Sequence, residues 1–221
     1  MSLDPRPAVE FCLLALALGA ALVVRPWRLL RASASHPGLV TPLLAALTIL
    51  PWLWAWPSSA GMPFPMQWSG AALAVLVLGW PLAVPVLAIA GLSTVAISGA
   101  PWTEALSTTI WSGVLPATSV LVLGHAVRRL FGTHPAVYLL GRAFGVPLLS
   151  LFACNLASAA AREIFAVEQG QMQVVAAFLL AMAETTWTCA VAASLVAWKP
   201  QWLATWSDAL YLGSRRSVRR A

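Results

Sequence analysis

The chain has 221 residues, of which 60% are hydrophobic and only 9% charged, with a mean hydropathy of +0.82. A water-soluble domain of this size cannot enclose that much apolar side chain, because its surface demands far more polar cover. The net charge of +6 and a pI near 10.3 would suggest nucleic acid in a soluble chain. Here the basic residues sit at the ends of apolar runs, where membrane topology and anionic headgroups use them, so membrane lipids and not nucleic acid are the expected partners.

The first apolar run covers 8–24. Asp4, Arg6 and Glu10 keep its leading end from being positive, whereas Arg25, Arg28 and Arg31 follow it. That order is the reverse of a cleaved signal peptide and predicts a retained helix with its N-terminus outside. Ala15 and Gly19, and likewise Ala17 and Ala21, stand four residues apart, a spacing that lets helices approach closely. A second run covers 38–56, and the segment after it, 57–68, reads "PSSAGMPFPMQW".

The third run, 69–99, is too long for one span and contains "LGWPLAVP" at 78–85. Further runs cover 104–130, 135–160 and 170–198. If the third run is one kinked helix, the chain has six spans, and Arg128, Arg129, Lys199, Arg215, Arg216, Arg219 and Arg220 fall outside, against the positive-inside rule. A break at Trp80–Pro81 reverses this. The cations after the first, fifth and seventh spans then all face the cytoplasm, while Asp4, Glu104, Glu163 and Glu168 fall on the outer side. Proline lacks the backbone donor and disfavours helix at the preceding residue, so it suits that break.

The sequence thus predicts an all-α, polytopic transmembrane helical bundle with seven spans, a short third helix, the N-terminus outside and the C-terminus cytoplasmic. Residues 1–198 form one transmembrane domain and 199–221 a cytoplasmic interfacial tail. In the tail, Trp198, Trp202 and Trp206 repeat every four residues, with Leu203, Leu210 and Tyr211 nearby. A tryptophan stripe ahead of "RRSVRR" suits an amphipathic helix at the inner headgroup level.

A third helix over 69–79 is about 16 Å long, half a bilayer. Non-helical backbone survives at membrane depth where protein buries it or where it lines a cavity. The Pro- and Gly-rich 57–68 segment is therefore expected to dip in from the outer side above the short helix; an ordinary outer loop before a shallow hairpin fits the same pattern. Short or broken helices point to the binding sites of transporters. On this reasoning Met62, Met66, Gln67 and Ser69 are candidate substrate-binding residues, thioethers and an amide being possible ligands for a soft or borderline metal. Packing and ordinary hydrogen bonding explain the same residues.

Ionisable residues inside spans are functional candidates because burying them is costly. Glu184 lies near the middle of the last span, within reach of Thr185 and Thr188, and with Thr188 completes the candidate set. Arg142 lies six residues into the sixth span, where its long stem can snorkel to the cytoplasmic face. Counting from the cytoplasmic ends puts it about 10 Å from the depth of Glu184. His36, His125 and His134 fall on the cytoplasmic side, and Cys12, Cys154 and Cys189 read as buried free thiols. The chain carries no phosphate-binding loop, Ser-His-Asp set or redox-cofactor signature. Neither an enzyme nor a resident cofactor is expected, and no metal ligand set can be named.

From 38 to 212 the chain resembles the membrane substrate-capture (S) components of energy-coupling factor (ECF) transporters, in the cobalt/nickel, CbiM-like family of ABC-type permeases. The likeness rests on the Pro-rich loop, "SGAALAVLVLGWPLAV", "AMAETTWTCAV" and "WKPQWLATWSDALYL". It implies uptake of a transition metal or related small solute, with a separate coupling membrane protein and paired ATPase subunits. The family's ligands are a Met-His start and a histidine just before the short helix, where this chain has Met1-Ser2 and Gln67. A non-transporting accessory subunit that keeps the fold within another membrane complex is the second reading.

Overall fold

The computed structural model describes residues 6–30, 38–59, 67–161 and 167–211. Among them every regular element is helical. The main helices are α1 (Arg6–Val23), α2 (Val40–Ser59), α3 (Ala71–Leu78), α4 (Trp80–Ser98), α5 (Trp102–Phe131), α6 (Val137–Ala161) and α7 (Val167–Trp198). In five of these, α1, α4, α5, α6 and the 174–198 part of α7, there is enough length and apolar character to cross a membrane, and α2 is shorter. This is a helical membrane protein.

The short third helix is present, and its break lies one residue earlier than Trp80–Pro81. Gly79 alone separates α3 from α4, at a left-handed φ of 77° that favours glycine. Pro81 falls in the first turn of α4, where its missing donor has no helical partner to lose. The junction is a reversal. Trp54 Nε1 donates to Ser69 O at 2.9 Å, and a Cβ on Gly113 would lie 2.9 Å from the same indole and 3.5 Å from Leu87 Cβ. Ser69 and Leu87 thus flank one tryptophan, whereas a continuous helix would separate them by about 27 Å.

The core forms where this hairpin meets its neighbours. Trp54 and Leu50 of α2, Ala71, Ala72 and Val75 of α3, and Leu82, Val86 and Leu87 of α4 are buried together with Ala117 and Val120 of α5. Helix α1 is peripheral. Ala17 and Ala21 turn inward to Val84, Ile110 and Val114, while a Cβ on Gly19 would meet nothing within 4 Å. Of the two small-residue pairs, Ala17/Ala21 packs within the chain and Ala15/Gly19 lies on the exposed side.

Two helices widen into π turns, at Thr109–Val114 in α5 and Val137–Gly145 in α6. Each is followed within two residues by a proline, Pro116 and Pro147, whose missing N–H interrupts the normal ladder.

The expected tryptophan stripe does not form. Pro200 ends α7, a 3-10 turn covers Pro200–Trp202, and helix resumes briefly at Asp208–Tyr211. Trp198 is 82% exposed, whereas Trp206 is buried and stacks on Tyr211 at 4.6 Å. Ala204 N and Thr205 N donate to Val77 O and Leu76 O, so this segment closes the C-terminal end of α3.

Charge divides along the bundle. The Gly79 turn lies against Leu29 and Ala204, so Arg25, Arg28 and Lys199 share its end, as do Arg128 and Arg129 at the close of α5. All five are exposed. Glu10, bonded to Trp111 Nε1, and Glu104 in the first turn of α5 mark the other end.

The Gly113 contact gives a test of the hairpin. Gly113→Leu should drive the Trp54 ring from its place between α3 and α4 and cost about 1–3 kcal/mol by overpacking. Gly19→Leu, facing open space, should leave thermal unfolding in detergent unchanged. Equal melting temperatures for both variants would contradict the packing of Trp54 between Ser69 and Leu87.

Candidate functional site

A helix as short as α3 exposes a large share of its backbone donors, and burial makes each unpaired one costly. Here they converge on one side chain. Ser69 N donates to Glu184 Oε2 and Gly70 N to Glu184 Oε1, both at 2.8 Å. Gly70, at a φ of 65°, turns the two amides toward the carboxylate. A Cβ there would also strike Leu50 Cδ2 at 2.6 Å. The negative group sits at the positive end of the helix dipole, where it is stabilising. Glu184 itself is only 4% exposed.

Ser69 ties the same point to two more helices. Its hydroxyl donates to Ser112 O of α5 at 2.5 Å and accepts from Ala71 N at 3.1 Å. Its carbonyl takes the Trp54 indole of α2, and Gln67 Nε2 donates to Trp54 O at 3.4 Å. Gln67 and Ser69 therefore both bond Trp54, and Ser69 alone of the two reaches Glu184. Thr188 lies one helical turn beyond Glu184 on the same face and is buried. Met62 and Met66 lie outside the described residues, as does most of the 57–68 segment.

The adjacent hydroxyl of Thr185 takes no part in holding the carboxylate. Thr185 Oγ1 is enclosed without a partner, and so is Ser150 Oγ on α6. Both Glu184 oxygens go to backbone amides 114 and 115 residues away in the chain. Among the described residues, no three His, Cys, Asp or Glu side chains converge as a metal site needs. His125 and His134 are exposed. Cys154 and Cys189 are half-buried, but Cys12 is exposed, unlike the expected buried thiol.

Arg142 departs from the sequence reading in two ways. It is 8% exposed and lies along Gly124 of α5, where an added Cβ would be 3.2 Å from its Nε; it does not snorkel free. Its depth is also closer to that of Glu184 than counting from helix ends implies. Cys189 Sγ reaches Leu139 O at 3.7 Å and Phe178 meets Phe152 at 5.7 Å, a register that sets Glu184 opposite residues 144–146. Helix α7 overshoots the start of α6 by about two turns, which the count could not see. The two do not form an ion pair, because Glu184 is held by α3 and Arg142 lies against α5.

Sequence reasoning missed Trp54, Ser112 and Tyr138. One signal was present. The ordinary helical partner of Ser112 O would be the N–H of residue 116, which is proline. That carbonyl was available for a tertiary donor, and Ser69 Oγ supplies it.

Comparison with known proteins gives no match: no protein-family model, no curated protein and no solved structure is similar to this chain.

The geometry makes Glu184 sensitive to replacement by its amide. Glu184→Gln keeps one acceptor oxygen but sets an NH₂ against a backbone N–H, leaving a buried donor unpaired at about 1–3 kcal/mol. Glu184→Leu should cost more, since it orphans both amides. Thermal unfolding in detergent should therefore rank wild type above Gln above Leu. A Gln variant as stable as wild type would show that the two amide bonds do not hold α3.

Proposed function

We propose that the protein is a multi-pass subunit of the bacterial cytoplasmic membrane, with α1 to α7 as seven spans and the basic end toward the cytoplasm. The grouping of Arg25, Arg28, Arg128, Arg129 and Lys199 at one end and of Glu10 and Glu104 at the other supports that orientation. Its function is that of an S-component-like capture subunit of an energy-coupling factor transporter. It works with a coupling membrane protein and ATPase subunits on a transition metal, cobalt or nickel, or a related small solute. The observation that carries this reading is the half-length helix α3, whose N-terminus lies inside the bundle as the ends of broken helices do at transporter substrate sites, here beside the buried Glu184. Gln67, Ser69, Glu184 and Thr188 are the proposed lining, with Met62 and Met66 on the segment before them.

One observation favours the second reading. Both Glu184 oxygens serve α3, as they would in an accessory subunit that has kept the fold and needs the carboxylate as a brace. The two readings separate on partners. Purification from native membranes in mild detergent should bring down a coupling membrane protein and an ATPase under the transport reading. A stable complex without an ATPase would establish the accessory role.

Orientation has its own test. Single cysteines at 35, 59 and 217, in a cysteine-free background, are probed in intact cells with a membrane-impermeant thiol reagent. Position 59 should label, and 35 and 217 should not. Labelling at 217 but not 59 would reject the seven-span orientation.

A further inference from the structure

Arg142 is a buried cation that the described residues leave unneutralised. Of the acids whose side chains the structure describes, Glu184 is held by Ser69 and Gly70, and Glu10 bonds Trp111 toward the opposite end. Glu104 opens α5 at that opposite end. Asp208 is exposed and accepts from Trp206 Nε1 at 2.7 Å. Arg142 makes no hydrogen bond or ion pair with a described residue, and its nitrogens are not among the fully enclosed atoms. Its remaining exposure therefore includes the guanidinium. Burial of an unpaired cation is unfavourable enough that a counter-charge is expected from outside the chain.

The surroundings are shaped for this side chain. Gly124 makes room for its stem, and Gly141 lets α6 approach α5 so closely that a Cβ there would lie 2.8 Å from Val127. Arg142 sits in the π-widened turn of α6, one turn inside Tyr138, whose hydroxyl meets Thr205 Oγ1 at the basic end. Arg128, one turn from Gly124 on the same face of α5, is exposed toward that end. His125 and Arg129 line a separate shallow groove on α5.

We propose that Arg142 anchors a phosphate site beside Gly124, where α6 meets α5, occupied by the phosphodiester of an anionic phospholipid. A guanidinium fork matches phosphate oxygens bidentately, and basic pockets between membrane helices take lipid headgroups. The five exposed cations at this end favour a lipid source over free phosphate, because they lie where anionic headgroups concentrate. The inference needs the membrane setting and does not depend on the transport reading.

The test uses the delipidated full chain in mild detergent, with phosphatidylglycerol or phosphatidylcholine of identical acyl chains added. Thermal unfolding and native mass spectrometry are the readouts. Phosphatidylglycerol should raise the melting temperature saturably and persist as one retained molecule per chain, as ligand linkage requires, and phosphatidylcholine should not. Arg142→Lys, which keeps the charge and loses the fork, should weaken retention about tenfold. Gly124→Ala, which presses on Nε, should weaken it less, and Gly19→Leu on α1, where an added Cβ meets nothing within 4 Å, should leave it unchanged. Stabilisation by inorganic phosphate alone, lost in Arg142→Lys, would support the phosphate site and overturn the lipid as its occupant. Equal stabilisation of the wild type by both lipids, with none from phosphate, would overturn the proposal. So would wild-type retention of phosphatidylglycerol by folded Arg142→Gln; if that variant does not fold, the wild-type comparison and Arg142→Lys still decide.

Discussion

The carboxylate of Glu184 against the amides of Ser69 and Gly70 is the contact on which the arrangement of the central helices depends. An isolated helix of eight residues is not stable, so α3 exists because tertiary partners complete its ends. At its N-terminus, α7 supplies Glu184, α5 supplies Ser112 O and α2 supplies the Trp54 indole, all converging on Ser69 and Gly70. At its C-terminus, Ala204 and Thr205 take the carbonyls of Val77 and Leu76. Removing the carboxylate leaves two buried donors in an apolar interior, where no water replaces it cheaply.

Proline and the early end of α3 supply the free carbonyls that this assembly uses. Residue 116 cannot donate to Ser112 O, which accepts the Ser69 hydroxyl. Val77 O and Leu76 O are free for another reason, the end of α3 at Leu78, and accept Ala204 N and Thr205 N. In a soluble protein a carbonyl freed by proline can turn to water. In an apolar bundle it needs a protein donor, and Pro116 thereby leaves Ser112 O to the Ser69 hydroxyl. The same residue type ends α7 at Lys199–Pro200 and sends the following segment back beneath α3.

Much of the fold was legible because composition, charge and proline act locally. The apolar runs became helices, and the turn within 69–99 could be placed from charge parity before any packing was known. The single-residue shift to Gly79 follows from glycine's access to positive φ combined with Pro81's fitness for a first helical turn. The tryptophan repeat misled because Trp198 and Trp206 lie on opposite sides of Pro200, which breaks the helix their spacing presumes. The depth of Arg142 misled for a different reason. Counting from helix ends assumes that neighbouring helices end together, and α7 runs past α6. The site was half legible: an acid in a span announces itself, but its partners lie more than a hundred residues away and are backbone groups, which carry no side-chain signature.

The brace and the binding site need not be separate devices. A cation that ligates Glu184 competes for the charge on the oxygens that accept from Ser69 and Gly70, and an anion at those amides must displace the carboxylate. Either event changes how the N-terminus of α3 is satisfied, and through Ser69 it reaches α2 and α5 together. Under the transport reading, occupancy of the site and the seating of α3 are therefore one equilibrium. Under the accessory reading, the same bonds hold α3 in one place, and the enclosed hydroxyl of Thr185 beside Glu184 has no cargo to meet. The difference is whether α3 ever leaves Glu184, a question about the free energy of two hydrogen bonds.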